Sequence, residues 1–253
     1  MYKKTEDKRP DPKPRKHPQL WQSYLWWNEI TNMQTKHLLR ISSIEAGKSN
    51  MDAQFEIDML EAMQLKQMQK HVEKIMTYCG KEICCWDWLV GIHGIGAPTA
   101  AKILAQIDDI ALFDNISKLW RFAGLAVIDG KAEKNQKGEK SHFNRQLKSE
   151  IWVAAGCIIK AQKSQYLDIY YEEKSRLRSV HPESITVDGK TKYNDAHINN
   201  MAIRKMEKLL LSHLWLIWRE GEGLPVSEPY AIAHMPTHTH YIEPYAIEHS
   251  LAR

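Results

Sequence analysis

Apolar residues recur at three- and four-residue intervals through most of the chain, the period of an amphipathic helix. From about Leu20 to Ala46, residues such as Trp21, Tyr24, Leu25, Met33 and Leu38 follow this spacing, and Gly47 is placed to end the helix. From about Asn50 to Tyr78, Met51, Phe55, Met59, Met63, Met68, Val72, Ile75 and Met76 form one stripe among Lys, Glu and Gln. A stripe of that length predicts a helical hairpin or coiled-coil arm whose methionines fill a core or a dimer seam. Beyond Cys79-Gly80 the pattern shortens. It predicts a helix over 82–90, a turn at 91–96, a helix from Pro98 to Ile107, and a turn plus short helix over 108–125. A polar loop at 129–142 precedes a helix from Asn144 to Tyr171, and a last helix runs from about Ala196 to Glu220. Between them lies a polar insertion, 179–195, in which Asp188-Gly189 signals a small hairpin. No stretch from 20 to 220 alternates as a series of strands would, so the expected fold class is mainly α.

Four parts follow: a basic arm at 1–19, a helical hairpin or coiled-coil arm at 20–80, a helical domain at 81–220, and an extended tail at 221–253. Four prolines forbid a helix in the first part. The tail repeats Glu-Pro-Tyr-Ala-Ile at 228–232 and 243–247, which suits matching extended segments docked on the body or on a partner. No run approaches the ~18 apolar residues of a bilayer span. The charged N-terminal stretch has no apolar leader either, and a cytoplasmic protein is expected. Cys79, Cys84, Cys85 and Cys157 lack zinc-site spacing and read as buried free thiols.

Charge adds a partner class. Net charge is only +4, but residues 1–19 hold seven Lys/Arg against three acids, and 131–149 hold six against two. Such patches suit a polyanion, although solvated loops can look the same.

The most informative motif is Gly91-Ile-His-Gly-Ile-Gly96-Ala-Pro-Thr-Ala-Ala-Lys-Ile-Leu104, the pattern of a helix-hairpin-helix. Gly94 and Gly96 would permit a tight hairpin with positive φ and a close backbone approach. Ile95 would plug the space between helices, and Pro98 is tolerated in a first helical turn. The free amides of Gly94, Gly96 and Thr99 would then face a DNA phosphate, with Lys102 reaching the same phosphate or the next. Lys137, Lys140, Arg145 and Lys148 would extend the contact along the backbone. The alternative is a helix turn with packing duties only.

Residues 85–175 and 197–220 together resemble the C-terminal domain of the IS110/IS116/IS902-type transposases. The likeness rests on Leu89–Gly96, Thr99–Ala105, Ile107-Asp-Asp-Ile110 with Phe113, and Phe122–Leu125. It continues in Lys137-Gly138, Ser141, Asn144-Arg145, Leu147, Ile151–Ala155 and Met201–Leu210. The resemblance implies a DNA recombinase in which this domain supplies a serine nucleophile, aligned here with Ser141. It further implies a RuvC-like N-terminal domain with an acidic Mg²⁺ site, and a structured RNA as guide. Residues 1–80 have no strand with an early Asp, and Glu29, Glu45, Asp52, Glu56, Asp58 and Glu61 read as solvated helical faces. No metal ligand set and no cofactor are therefore expected within this chain; Mg²⁺ would enter only with a RuvC-like partner.

A serine that attacks phosphorus needs a base or metal and nearby cations. Lys140, His142 and Arg145 could supply them, but the Ser-Gly found upstream in many relatives is Asp129-Gly130 here, and Ser141 could instead cap the helix that follows, with Asn144 a second capping candidate. His234, His238, His240 and His249 in the tail read as solvent-exposed rather than metal-binding. Trp86, Trp88, Trp120 and Trp152 read as core; of Trp26 and Trp27, adjacent on a helix, one should meet a partner subunit or another segment. The leading expectation is a DNA-binding protein, dimeric through 20–78 and related to these transposases. The alternatives are a serine recombinase working with a metal-binding subunit in trans, and a non-catalytic interaction protein.

Overall fold

The computed structural model describes residues 14–50, 52, 54–128, 131–133, 141–187 and 190–226. They form eight α-helices: α1 Pro18–Glu45, α2 Gln54–Gly80, α3 Trp86–Gly91, α4 Ala97–Ile107, α5 Ile116–Phe122, α6 Arg145–Ala161, α7 Tyr166–Val180 and α8 Asp195–Gly221. Two small antiparallel hairpins pair β1 Val127–Ile128 with β2 Lys131–Ala132, and β3 Ile185–Val187 with β4 Lys190–Lys192. The protein is mainly helical, and no helix among the described residues is long and apolar enough to cross a membrane.

Helix α4 is the centre. Seven of its eleven residues are buried, among them Ala100, Ala101, Ile103 and Leu104. Small residues on this face let α1, α2 and α6 approach closely. One continuous core joins the base of the α1–α2 hairpin (Leu20, Tyr24, Val72, Met76) to α4, α6 and the inner face of α8. Trp215 of α8 donates its Nε1 hydrogen to the Phe113 carbonyl at 2.7 Å, which fixes the crossing of α8 against the turn after α4.

That turn is unusual. Asp108 has φ 64 and ψ −60, and the Asp109 amide donates back to the Ile107 carbonyl at 2.8 Å, which closes a γ-turn. The turn aims the Asp108 carboxylate at the start of α1, where it accepts the Lys16 and His17 amides at 3.2 and 3.0 Å. The start of α1, whose first-turn Pro18 has no amide to satisfy, is thus capped by a side chain ninety residues away. Lys16 adds ion pairs to Asp109 and Glu222.

Several sequence expectations change. The helix expected from Asn144 to Tyr171 is broken by Gln162, which takes the left-handed conformation at φ 54 and ends α6. Ser164 then accepts the Tyr166 amide as α7 begins, and α7 packs against α8. The methionine stripe of α2 is only partly core, since Met76 is buried while Met59, Met63 and Met68 are exposed. Trp86 and Trp88 are buried as expected, but Trp152 is about half exposed. Of the four free thiols only Cys85 is fully buried, and Cys84 is exposed. Of the adjacent tryptophans, Trp27 meets α2 and α4, through its Nε1 hydrogen bond to Glu73 and the stacked ammonium of Lys102, and Trp26 faces outward. The tail repeat and its histidines lie outside the described residues.

Candidate nucleic-acid interface

The hairpin between α3 and α4 is built by packing. Gly94 has φ +103, and a Cβ there would stand 2.7 Å from the backbone N and Cα of Ile158 on α6. Only glycine allows both the dihedral and that approach. Ile95 is buried and its amide donates to the Ile92 carbonyl at 2.9 Å, which closes the turn beneath the hairpin. Gly96 differs from the expectation: its φ is −80, an ordinary extended value, and it is exposed, with only Pro98 Cδ near a would-be Cβ. It leads into α4 with no side-chain cap, and Ala100 is the first residue whose amide donates to the Gly96 carbonyl. The amides of Ala97 and Thr99 thus lack a backbone partner at the positive end of the helix.

Lys102 does not face that end. Its Nζ lies 3.5 Å from the centre of the Trp27 ring, against α1. Burial lowers the pKa of this ammonium, opposed by the negative charges of Glu150 and Glu73. The sequence offered no sign of this, since Lys102 and Trp27 belong to helices far apart in the chain.

Ser141, Arg145 and Lys148 gather at the opposite end of α4. There the Asn144 side chain donates to Gln106 Oε1 at 2.7 Å and accepts the Leu147 amide at 3.0 Å, so Asn144, not Ser141, caps α6. Ser141 Oγ donates to the Phe143 carbonyl at 2.9 Å. Arg145 is exposed in the first turn of α6. Lys148 Nζ donates to the Glu133 carbonyl at 3.2 Å and lies over the Phe143 ring. Burial lowers its pKa, and the positive charge of Arg204 lowers it further. Lys137 and Lys140 lie outside the described residues. Because α4 is about 15 Å long at 1.5 Å per residue, the hairpin set and the Ser141 set are two separate places.

Two cations at the end of α6 that packs beside the hairpin were missed by sequence reasoning. Gly94 packs on Cys157 and Ile158, so the last turn of α6 lies beside the hairpin. That turn carries Lys160, and Lys163 follows just past the cap; both are exposed. Their signal was the antiparallel pairing of α4 with α6, which spacing along the chain does not encode.

Two further charged groups are built into the interior. Glu207 of α8 is buried, and burial raises its carboxyl to about 7 against the pull of Arg204 and Lys148. Arg204 donates to the Ala126 carbonyl at 2.8 Å and reaches that of Gly124, so it ties down the root of the 127–141 loop. On the hairpin arm, His37 Nδ1 is 3.0 Å from Asp58 and its Nε2 is 3.3 Å from Glu61. These three residues are spaced as metal ligands could be, but Arg40 Nε lies 2.6 Å from the second Asp58 oxygen and already supplies a cation. Burial pushes Asp58 up, yet His37, Gln54 and Arg40 outweigh it and hold the carboxyl below its ordinary value. Asp58 is therefore no solvated acid; it fastens α1 to α2.

No curated protein matches this chain. Residues 87–172, from α3 into α7, match the model of the transposase IS116/IS110/IS902 family; this segment is similar to an IS110-type transposase domain, which supports a transposition-related function.

Proposed function

We propose that the protein is a DNA-binding component of an IS110-type transposition system, holding the duplex backbone at the bare end of α4. The observation that carries this is the uncapped first turn of α4, where Gly96 is exposed and Ala97–Thr99 are half-buried, together with exposed Lys160 and Lys163 at the end of α6 that packs on Gly94. Free amides at a positive helix end donate to a phosphate oxygen, and the two ammonium groups add charge without reading sequence. Arg145 and the lysine loop, Lys137 and Lys140 included, serve as a second contact further along the duplex. Lys102 and Lys148 act as packing cations, because each is already engaged. The protein works as a dimer through 20–78 in the cytoplasm, and structured RNA competes for the same contacts. Strand transfer is not part of this reading: the Ser141 hydroxyl hydrogen is bound to a backbone carbonyl, and no base among the described residues accepts it.

The test is binding to a labelled duplex across a salt series. Binding should weaken steeply as salt rises, and Lys160→Glu with Lys163→Glu should lower the log–log slope by about two, one for each phosphate that no longer meets an ammonium. Gly96→Glu should abolish tight binding without lowering the melting temperature, since an acid suits a helix N-terminus. No binding at low salt defeats the proposal. Binding that all three changes leave intact moves the interface elsewhere.

A further inference from the structure

Among the described residues, nineteen large hydrophobic side chains are exposed, and eleven of them lie on α1 and α2. This is far more than scattered surface apolar residues explain. On α2 they are ordered. Ile57, Leu60, Met68, Ile75 and Tyr78 are 46–72% exposed, and with exposed Gln64 and His71 they step along the helix by three and four residues. This seam lies away from the face that α2 turns to α1, where Ala62, Leu65, Val72 and Met76 are buried. It therefore has the repeat of a coiled-coil seam that no element of the described chain covers.

We infer that the seam packs against the same seam of a second copy of this chain, with the two α2 helices antiparallel. This rests on the dimer reading above and specifies its face and orientation; it does not depend on DNA contact. The size fits. Taking ~200 Å² for a large side chain, the five residues expose roughly 550 Å² of apolar surface. A standard interface buries about 800 Å² per partner, a little over half of it apolar.

Charge selects the orientation. The first part of α2, 54–64, carries Glu56, Asp58 and Glu61 and no cation. Asp58 is spent within the hairpin on Arg40 and His37; Glu56 and Glu61 are exposed, with Glu61 also 3.3 Å from His37 Nε2. The second part, 65–80, carries exposed Lys66, Lys70 and Lys74 with Glu73 as its only acid. A parallel pair would align acid with acid and lysine with lysine. An antiparallel pair sets each acidic half against a basic half, and it places Ile57 opposite Tyr78 and Leu60 opposite Ile75 across the two-fold axis. Such an interface is self-complementary, as a closed two-fold dimer requires.

Sedimentation equilibrium of the full chain over a concentration series, alongside three variants, tests this. The wild type should reach twice the 29.4 kDa chain mass. Leu60→Glu with Ile75→Glu should remain at one chain mass with unchanged helical circular dichroism, because both sites are exposed in the single chain. Lys66→Glu, Lys70→Glu and Lys74→Glu together should weaken association at least tenfold, and adding Glu56→Lys and Glu61→Lys should restore it. A monomeric wild type at tens of micromolar overturns both the dimer reading and this inference. A dimer indifferent to Leu60→Glu with Ile75→Glu leaves the dimer reading standing and overturns the seam. A dimer that those two changes break but the lysine reversals do not weaken overturns the antiparallel orientation.

Discussion

Helices α2 and α4 share the same sequence grammar, apolar residues at three- and four-residue spacing, but the tertiary structure uses them in opposite ways. In α4 seven of eleven residues are buried, and its apolar side chains meet neighbours on several sides. In α2 only six of twenty-seven are buried, and most of its methionines, with Ile57, Leu60, Ile75 and Tyr78, face outward. The difference lies in the company each helix keeps. Helix α4 is short and enclosed by α1, α2 and α6, whereas the outer part of α2 has only α1 beside it. Two helices cannot hide an apolar stripe that is wider than their shared seam. The enclosed helix carries the fold, and the open one leaves an apolar face uncovered among the described residues.

Changes at the enclosed helix should cost the most. Gly94→Ala forces a Cβ onto the α6 backbone at a dihedral that side chains avoid. It should lower stability by about 3 kcal/mol or more, read as a collapse in melting temperature. A tolerated Gly94→Ala would mean the hairpin is not clamped to α6. Leu104→Ala, which removes a fully buried side chain, should cost about 2–5 kcal/mol. Leu60→Ala on α2, measured at concentrations where the chain is monomeric, should stay within about 0.5 kcal/mol of wild type. Equal costs at the two sites would erase the contrast between the helices.

Asp108→Ala should cost about 1–2 kcal/mol, because it strips the carboxylate cap from α1. Its signature is local: amide exchange should speed up near the start of α1 and stay slow in α4.

The smallest effect is a pH slope from Glu207, whose carboxyl is raised in the folded chain from its ordinary value of 4.5 to about 7. The folded state then binds more protons than the unfolded state between those limits, so stability falls as pH rises through that window. Glu207→Gln should flatten the fall in melting temperature between pH 5 and 7. An unchanged slope assigns it to another group.

Much of the fold was legible in the sequence because helix period and turn residues are local. The ends of α1, α2, α4 and α8 lie within a few residues of where the spacing, Gly47, Gly80 and Pro98 put them. The hairpin at 185–192 follows from Asp188-Gly189 between polar, β-prone residues. The break at Gln162 was not legible: no glycine or proline marks it, and the chain bends there because α7 must return along α8. For the candidate site, the hairpin with Gly94, Ile95 and Gly96 could be read directly. The roles within it could not. Gly94 is needed by Ile158 of α6, and Lys102 is held by Trp27 of α1; both partners are distant in sequence.

The sequence by itself determined the helices, the Gly-Ile-Gly hairpin that opens α4, and the segment similar to IS110-type transposases, because each is written in neighbouring residues. The tertiary structure alone decided which charges meet solvent. Antiparallel packing of α4 on α6 sets the last turn of α6, near exposed Lys160 and Lys163, beside the hairpin, and packing of α1 on α4 engages Lys102 with Trp27. The physical reason is that a cation's role depends on what stands across from it, and long-range packing sets that neighbour.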